Sequence, residues 1–180
     1  ATELSDTSRY PRFMRTYPSD TVTARAVCAF WADMGTPNGA VVYQNDLWGR
    51  SLVQGISTSC FDVGIATQAF EFDIVNPLTI EAAMKDLAES GLRYVFVAVI
   101  GAPNLNLIME HSLANGLLAA DDPDSSSWSF GDGVGIGDFA QTSEEARAAL
   151  HGSTWVRAVG AEDASMAWQQ FAARWQSLDP

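Results

Sequence analysis

The chain has 180 residues, of which 47% are apolar and 18% charged, and its formal net charge at pH 7 is −12. This length and composition predict one folded domain with a sizeable core and exclude wholesale disorder. The negative charge disfavours nucleic acids and anionic membrane surfaces, which repel an acidic protein. We therefore expect no nucleic acid and no direct membrane contact, whereas a cationic, zwitterionic or neutral small ligand is compatible with this charge.

No apolar run reaches the roughly 20 residues of a membrane-spanning helix. No signal peptide opens the chain, so Ala1 reads as a cut made inside a longer protein. Cys28 and Cys60 each fall at a helical position, and we expect two separate buried thiols, with a single bridge as the alternative. His111 and His151 form no pair with cysteine at metal-ligand spacing, so the sequence predicts no zinc site.

The chain opens with an irregular segment over residues 4–17, in which 13–16 are predicted as a short edge strand. A first helix is predicted from Pro18 to the stop at Gly35. Its buried stripe is predicted from the four-residue spacing of Val22, Ala26, Phe30 and Met34, and it is widened by Val27 and Trp31.

Residues 40–43 are a β-branched and aromatic run, which predicts a strand buried on both faces. Asn45 and Asp46 can cap the helix that follows, whose apolar residues recur every fourth position from Leu52 to Cys60. Trp48 stands in the predicted turn between them, at the carboxyl end of a strand that is predicted to be parallel to its neighbours. In open α/β sheets ligands bind at that edge.

Predicted strands and helices continue to alternate in the second part of the chain. Further strands are predicted at 65–72, 94–100, 128–130 and 154–159. Further helices are predicted at 77–91, 103–116, 142–151 and 163–178. The third of these has capping-box spacing at Thr142 and Glu145. The short connections predict a three-layer α/β/α sandwich with a mostly parallel, about five-stranded sheet, forming a single lobe over 1–180.

Two stretches resemble ligand-binding motifs, but their residue spacing does not match those motifs. The glycines of 131–137 alternate and lie late in the chain, unlike the dinucleotide-binding pattern, so a flexible, ligand-facing loop is predicted instead. Asp122, Asp124 and Ser126 resemble the start of a calcium loop, but the central glycine and the bidentate glutamate are missing. No serine or cysteine can be tied to a histidine as a catalytic group. We expect no enzyme, no cofactor and no metal.

Three residues stand where the predicted elements meet the carboxyl edge of the sheet. Asp20 lies at the entry to the first helix, Trp48 follows the central strand, and Asp132 follows the fourth strand. Two carboxylates and an aromatic face suit a primary ammonium group, through charge-assisted hydrogen bonds and cation–π contact. The alternative is that the aspartates cap helices or shape turns, and that the tryptophan borders the core.

At these residues the sequence resembles a known family, the type I periplasmic-binding-protein-like or receptor-family ligand-binding domain. The resemblance is carried by Leu4-Ser5-Asp6, Arg9-Tyr10-Pro11-Arg12-Phe13-Met14-Arg15-Thr16, Pro18-Ser19-Asp20, Asn45-Asp46-Leu47-Trp48-Gly49-Arg50-Ser51 and the run from Trp128 to Asp132. Such domains are two-lobed clamps that close on a small ligand, and this chain resembles chiefly the second lobe, without the first.

The resemblance implies ligand-binding roles for the three residues. Asp20 matches the aspartate that faces the ligand's ammonium group in amino-acid receptors, Trp48 matches the aromatic residue, usually tyrosine, that covers the ligand, and Asp132 matches a second carboxylate. The expected protein is a non-enzymatic ligand-binding lobe of an extracellular receptor for an amino acid or amine. Its expected partners are that ligand and the missing first lobe, and a homodimer is left open.

Three rival interpretations share parts of this pattern. A periplasmic solute-binding protein of an ABC transporter has the same fold and a similar cleft. The effector lobe of a sugar-responsive transcription regulator would need a basic DNA-binding segment upstream. A small enzyme of flavodoxin-like outline lacks a catalytic constellation in this sequence.

Overall fold

The computed structural model describes residues 6–14, 17–119 and 125–157, together with the separate positions 4, 170, 173 and 174. Its strands are β1 (Asn38–Gln44), β2 (Ala66–Phe72), β3 (Tyr94–Ala98), β4 (Ser127–Phe130) and β5 (Thr154–Trp155). Its helices are α1 (Asp20–Asp33), α2 (Leu47–Phe61), α3 (Leu78–Ser90), α4 (Ala102–Ala114), α5 (Ile136–Phe139) and α6 (Glu144–Ala149).

The five strands form one sheet in the order β2-β1-β3-β4-β5, and every neighbouring pair is parallel. Val42 of β1 pairs with Phe70 on one side and Val97 on the other. The chain moves outward from β1 to β2 and then crosses back to β3, so the direction of winding reverses between β1 and β3. In such sheets a crevice opens at this switch point, outside the carboxyl ends of the strands.

Helices cover both faces of the sheet, because alternate residues of a strand point to opposite sides. Val41 and Phe96 belong to a core packed by α1 and α2, whereas Val42 and Val97 belong to a second core packed by α3 and α4. The predicted three-layer α/β/α sandwich with a parallel, five-stranded sheet is therefore confirmed. Among the residues that the structure describes, no helix is both long and apolar enough to cross a membrane.

The buried face of α1 is the predicted one only in part, because Val27 and Trp31 are buried but Val22 and Met34 are not. The buried residues of this helix are Ala24, Val27, Cys28 and Trp31. Val22 and Met34, at the ends of the predicted stripe, are each 53% exposed. Two apolar rows run along this helix, and the row that contains the large indole of Trp31 fills the space above the sheet.

The prediction of two separate thiols is wrong, because Cys28 and Cys60 form a disulfide. Cys28 lies on α1 and Cys60 at the end of α2, and their Cα atoms are 5.0 Å apart. Both residues are buried in the core between these helices and the sheet. The bond therefore fixes the two helices relative to each other on one face of the sheet.

Several predicted boundaries shift by a few residues. Helix α6 is capped by the side chain of Ser143, which accepts a hydrogen bond from the Ala146 N–H, and not by Thr142, whose hydroxyl donates to the Phe139 carbonyl. Positions 13 and 14 form no strand, and β5 is shorter than predicted. Residues 158 and 159 of the predicted fifth strand, residues 121–124 with Asp122 and Asp124, and most of the predicted last helix lie outside the described residues.

Candidate ligand-binding site

The switch point between β1 and β3 is bridged by the side chain of Gln44, the last residue of β1. Its carbonyl oxygen accepts a hydrogen bond from the Ile100 N–H at 2.9 Å, and its amide nitrogen donates to Asp46. Asp46 in turn caps α2 by accepting from the Gly49 N–H at 2.7 Å. Gln44 is buried, so these bonds are shielded from water. The sequence analysis missed Gln44, although a glutamine at the end of an apolar strand is a recognisable signal.

Trp48 lies in the first turn of α2 and not in the preceding turn, because Asp46 already starts the helix at Leu47. Its ring is half-buried against the core formed with α1. A Cβ atom added to Gly133 would lie 3.0 Å from the Cη2 atom of Trp48 and 2.3 Å from the Val99 carbonyl oxygen. The indole therefore lies against the loop that follows β4, and this loop accepts only glycine at position 133 without a shift of backbone.

Asp132 is in the turn that follows β4, next to Gly133. Its carboxylate accepts a hydrogen bond from the hydroxyl of Tyr17, a residue 115 positions earlier that is about half exposed. Tyr17 precedes α1, so this bond joins the start of the α1 segment to the β4–α5 loop. No local pattern in the sequence points to that pairing.

Asp20 is the first residue of α1, and the residue before it, Ser19, makes no side-chain capping bond. The Asp20 carboxylate accepts a hydrogen bond at 3.0 Å from Ser51, which lies three residues after Trp48 on α2. The helical spacing puts Trp48 and Ser51 on neighbouring positions of one helix surface. The structure thus brings Asp20, Trp48 and Asp132 to one corner of the carboxyl edge through Ser51, Gly133 and Tyr17.

A second polar chain crosses the outer part of the same edge. Arg50 donates to the side-chain oxygen of Asn45, whose amide nitrogen donates to Glu71 at 2.6 Å. Glu71 also accepts from the Tyr43 hydroxyl at 2.7 Å, and the two residues are paired across β1 and β2. Arg50 is thereby directed toward Asn45. Arg157, which follows β5, lies over the ring of Trp155.

Burial, together with the hydrogen bond and the negative charge of Glu71, raises the pKa of Tyr43 to about 12. The folded state favours the neutral phenol, so this contribution to stability is complete below about pH 10 and is lost as the pH rises toward 12. We expect one tyrosinate absorbance transition of the native protein near pH 12, absent in Tyr43→Phe and retained in the control Tyr10→Phe. A transition near pH 12 that persists in Tyr43→Phe would contradict this.

Two concavities elsewhere in the described structure have other linings. One, of about 320 Å³, lies between α6 and the ends of β4 and β5, and the other, of about 440 Å³, lies between β2 and α3. Neither is lined by Asp20, Trp48 or Asp132. Within the described part of the chain, no group of acidic, cysteine or histidine side chains is arranged to hold a metal ion.

Comparison with known proteins identifies the class to which this fold belongs. The sheet and its covering helices are those of one lobe of a type I periplasmic-binding-protein-like domain. The chain belongs to the receptor family ligand binding region, whose family model matches residues 1–117. The predicted resemblance is therefore confirmed. No protein of curated function matches the chain.

Two solved structures illustrate the shared fold. An extracellular ligand-binding receptor from Verminephrobacter eiseniae superposes with a TM-score of 0.68 at 15% identity, over 96% of this chain and 48% of that one. An ABC transporter substrate-binding protein from Desulfitobacterium hafniense superposes with a TM-score of 0.53 at 18% identity, over 69% of this chain and 35% of that one. The chain thus spans about half of the first structure and about a third of the second.

Proposed function

We propose that this chain is the second lobe of a two-lobed, extracellular receptor domain that senses an amino acid or another small amine. The observation that carries the proposal is the corner where Asp20, Trp48 and Asp132 meet. Its two carboxylates are held by neutral hydroxyl donors, Ser51 and Tyr17. Carboxylates form charge-assisted hydrogen bonds with an ammonium group, and the indole of Trp48 supplies an aromatic face beside them.

The rim of the same edge supports closure against another lobe. Four large apolar side chains that follow the strand ends are 73–84% exposed: Leu47, Val75, Leu78 and Ile136. Apolar residues collected along one edge are typical of surfaces that another protein surface or a ligand covers. In the proposed mechanism, a ligand held at the corner draws in the first lobe, which covers this rim and shifts the domain toward its closed state.

The Cys28–Cys60 bond supports an extracellular or periplasmic location, because disulfides form and persist in oxidising compartments. A periplasmic solute-binding protein is the second candidate, and the structural likeness to the ABC transporter substrate-binding protein favours it. The gene separates the two: a membrane-spanning segment followed by a signalling domain indicates the receptor, whereas a neighbouring transporter gene indicates the solute-binding protein.

The ligand class can be tested on the full-length protein by isothermal calorimetry. The panel comprises amino acids, primary amines of similar size, the corresponding carboxylic acids without an amine, and neutral sugars. We expect saturable binding only among compounds with an ammonium group, because the corner offers anions and an aromatic ring. Binding confined to carboxylic acids or to sugars would contradict the proposal.

A further inference from the structure

Helix α1 has a second apolar face, which points away from the core. At helical spacing this outer face comprises Val22, Arg25, Ala26, Ala29, Ala32 and Asp33, all of them exposed. It lies on the side of the helix opposite the buried residues, and among the described residues no other element covers it. An exposed helix face with one large apolar residue, three alanines and two charges is short of the polar groups that a solvated face carries.

The two charges on the outer face of α1 are placed symmetrically. Arg25 and Asp33 are eight residues apart, and Ala29 lies midway between them. Among the residues that the structure describes, neither takes part in an ion pair, in contrast to Lys85 and Glu89 on α3. A helix that carries opposite charges at equal distances from a small central residue is complementary to itself when the second copy runs antiparallel.

We propose that the outer face of α1 pairs with the same face of a second copy of this chain. A two-fold axis at Ala29 places Arg25 opposite Asp33 of the second copy, and Asp33 opposite Arg25 of that copy, which is the pairing that an isologous interface requires. The same axis places Ala26 opposite Ala32 of the second copy. Alanines at the centre allow the two backbones to approach closely enough for both ion pairs to form.

The net charge of −12 opposes this association at low ionic strength. At about 0.15 M salt the Debye length is roughly 8 Å, so repulsion between distant acids is screened while the two contact pairs are screened less. The contact is one helix wide, which places it at the small end of specific interfaces. We expect a weak, reversible dimer with a dissociation constant on the order of tens of micromolar.

The outer face is separate from the carboxyl edge of the sheet, where only the first residues of α1 contribute to the candidate site. Pairing through α1 therefore leaves the ligand corner open. The dimer and the ligand site can fail or succeed independently of each other.

Sedimentation velocity of the full-length protein at about 0.15 M salt, over a concentration series that spans the expected constant, tests this interface. Wild-type protein should shift from monomer to dimer. Arg25→Asp and Asp33→Arg each place like charges opposite each other twice, so each variant alone should dimerise at least tenfold more weakly. The control Lys85→Asp changes the net charge as Arg25→Asp does, but on α3, and should dimerise like wild type.

Sedimentation of an equimolar mixture of the two variants is the decisive measurement. In a mixed dimer each introduced charge faces an opposite charge, so association should return although each variant alone remains monomeric. Circular dichroism and thermal unfolding verify that the variants are folded. A wild-type chain that stays monomeric, single variants that dimerise like wild type, or a mixture that does not associate would each overturn the proposal.

Discussion

Breaking the Cys28–Cys60 disulfide is expected to lower the free energy of unfolding by about 3–4 kcal/mol. The bond closes a loop with a sequence separation of 32 residues, and cross-linking a loop of this size removes that much chain entropy from the unfolded state. A loss of this size is a large part of the 5–15 kcal/mol that typically holds a domain together. The bond also ties α1, which carries Asp20, to α2, which carries Trp48.

Urea unfolding measures this effect on three forms of the protein: oxidised wild type, wild type kept reduced, and the double variant Cys28→Ala and Cys60→Ala. The two forms without the bond should unfold at similar, lower urea concentrations. Oxidised and reduced wild type that unfold within about 0.5 kcal/mol of each other would contradict the expected contribution of the bond.

Replacing Gly133 with alanine is expected to destabilise the fold by about 1–3 kcal/mol and to weaken ligand binding at least tenfold. The new Cβ atom would overlap the Val99 carbonyl oxygen at 2.3 Å and press on the Trp48 ring at 3.0 Å. The carbonyl belongs to the backbone and cannot rotate away, so the loop that carries Asp132 has to move. The Asp132 carboxylate and the Trp48 ring would then no longer face the same point.

Gly137 is a matched control within the same glycine run, because a Cβ atom there has no neighbour within 4 Å. Gly137→Ala should leave stability unchanged or raise it slightly, since alanine restricts the unfolded chain. Urea unfolding and calorimetry of both variants provide the comparison. Equal effects of the two substitutions would show that close packing at Gly133 is not what limits the loop.

The parallel sheet was predictable because its strands are short apolar runs separated by amphipathic helices, as at Val41 and Val97. The inward face of α1 was predictable only in part: the predicted stripe contained the buried Trp31, but it also contained the exposed Val22, which lies on a second row with the same helical spacing. Only the room above the sheet decides that the larger indole is buried. The disulfide was missed for a related reason: a helical position gives no information about the distance to a second helix.

The candidate site, too, could be predicted from the sequence only in part. The position of Trp48 at the carboxyl edge follows from the strand before it, and the edge is where such sheets bind ligands. The bond from Tyr17 to Asp132 joins residues 115 positions apart, and the bond from Ser51 to Asp20 joins residues 31 positions apart. Contacts of this kind depend on how the elements pack in three dimensions, for which a single sequence has no local pattern.

The central claim is that the carboxylates of Asp20 and Asp132 hold a ligand's ammonium group. The most direct test is calorimetric titration of an amine ligand into the full-length protein and into three variants: Asp20→Ala, Asp132→Ala and the control Asp62→Ala, which removes an exposed carboxylate at the opposite edge. Each charge-assisted bond contributes roughly 1.5–3 kcal/mol, so the first two variants should bind about 10- to 100-fold more weakly. The control should bind like wild type. Equal affinity in all four proteins would contradict the claim.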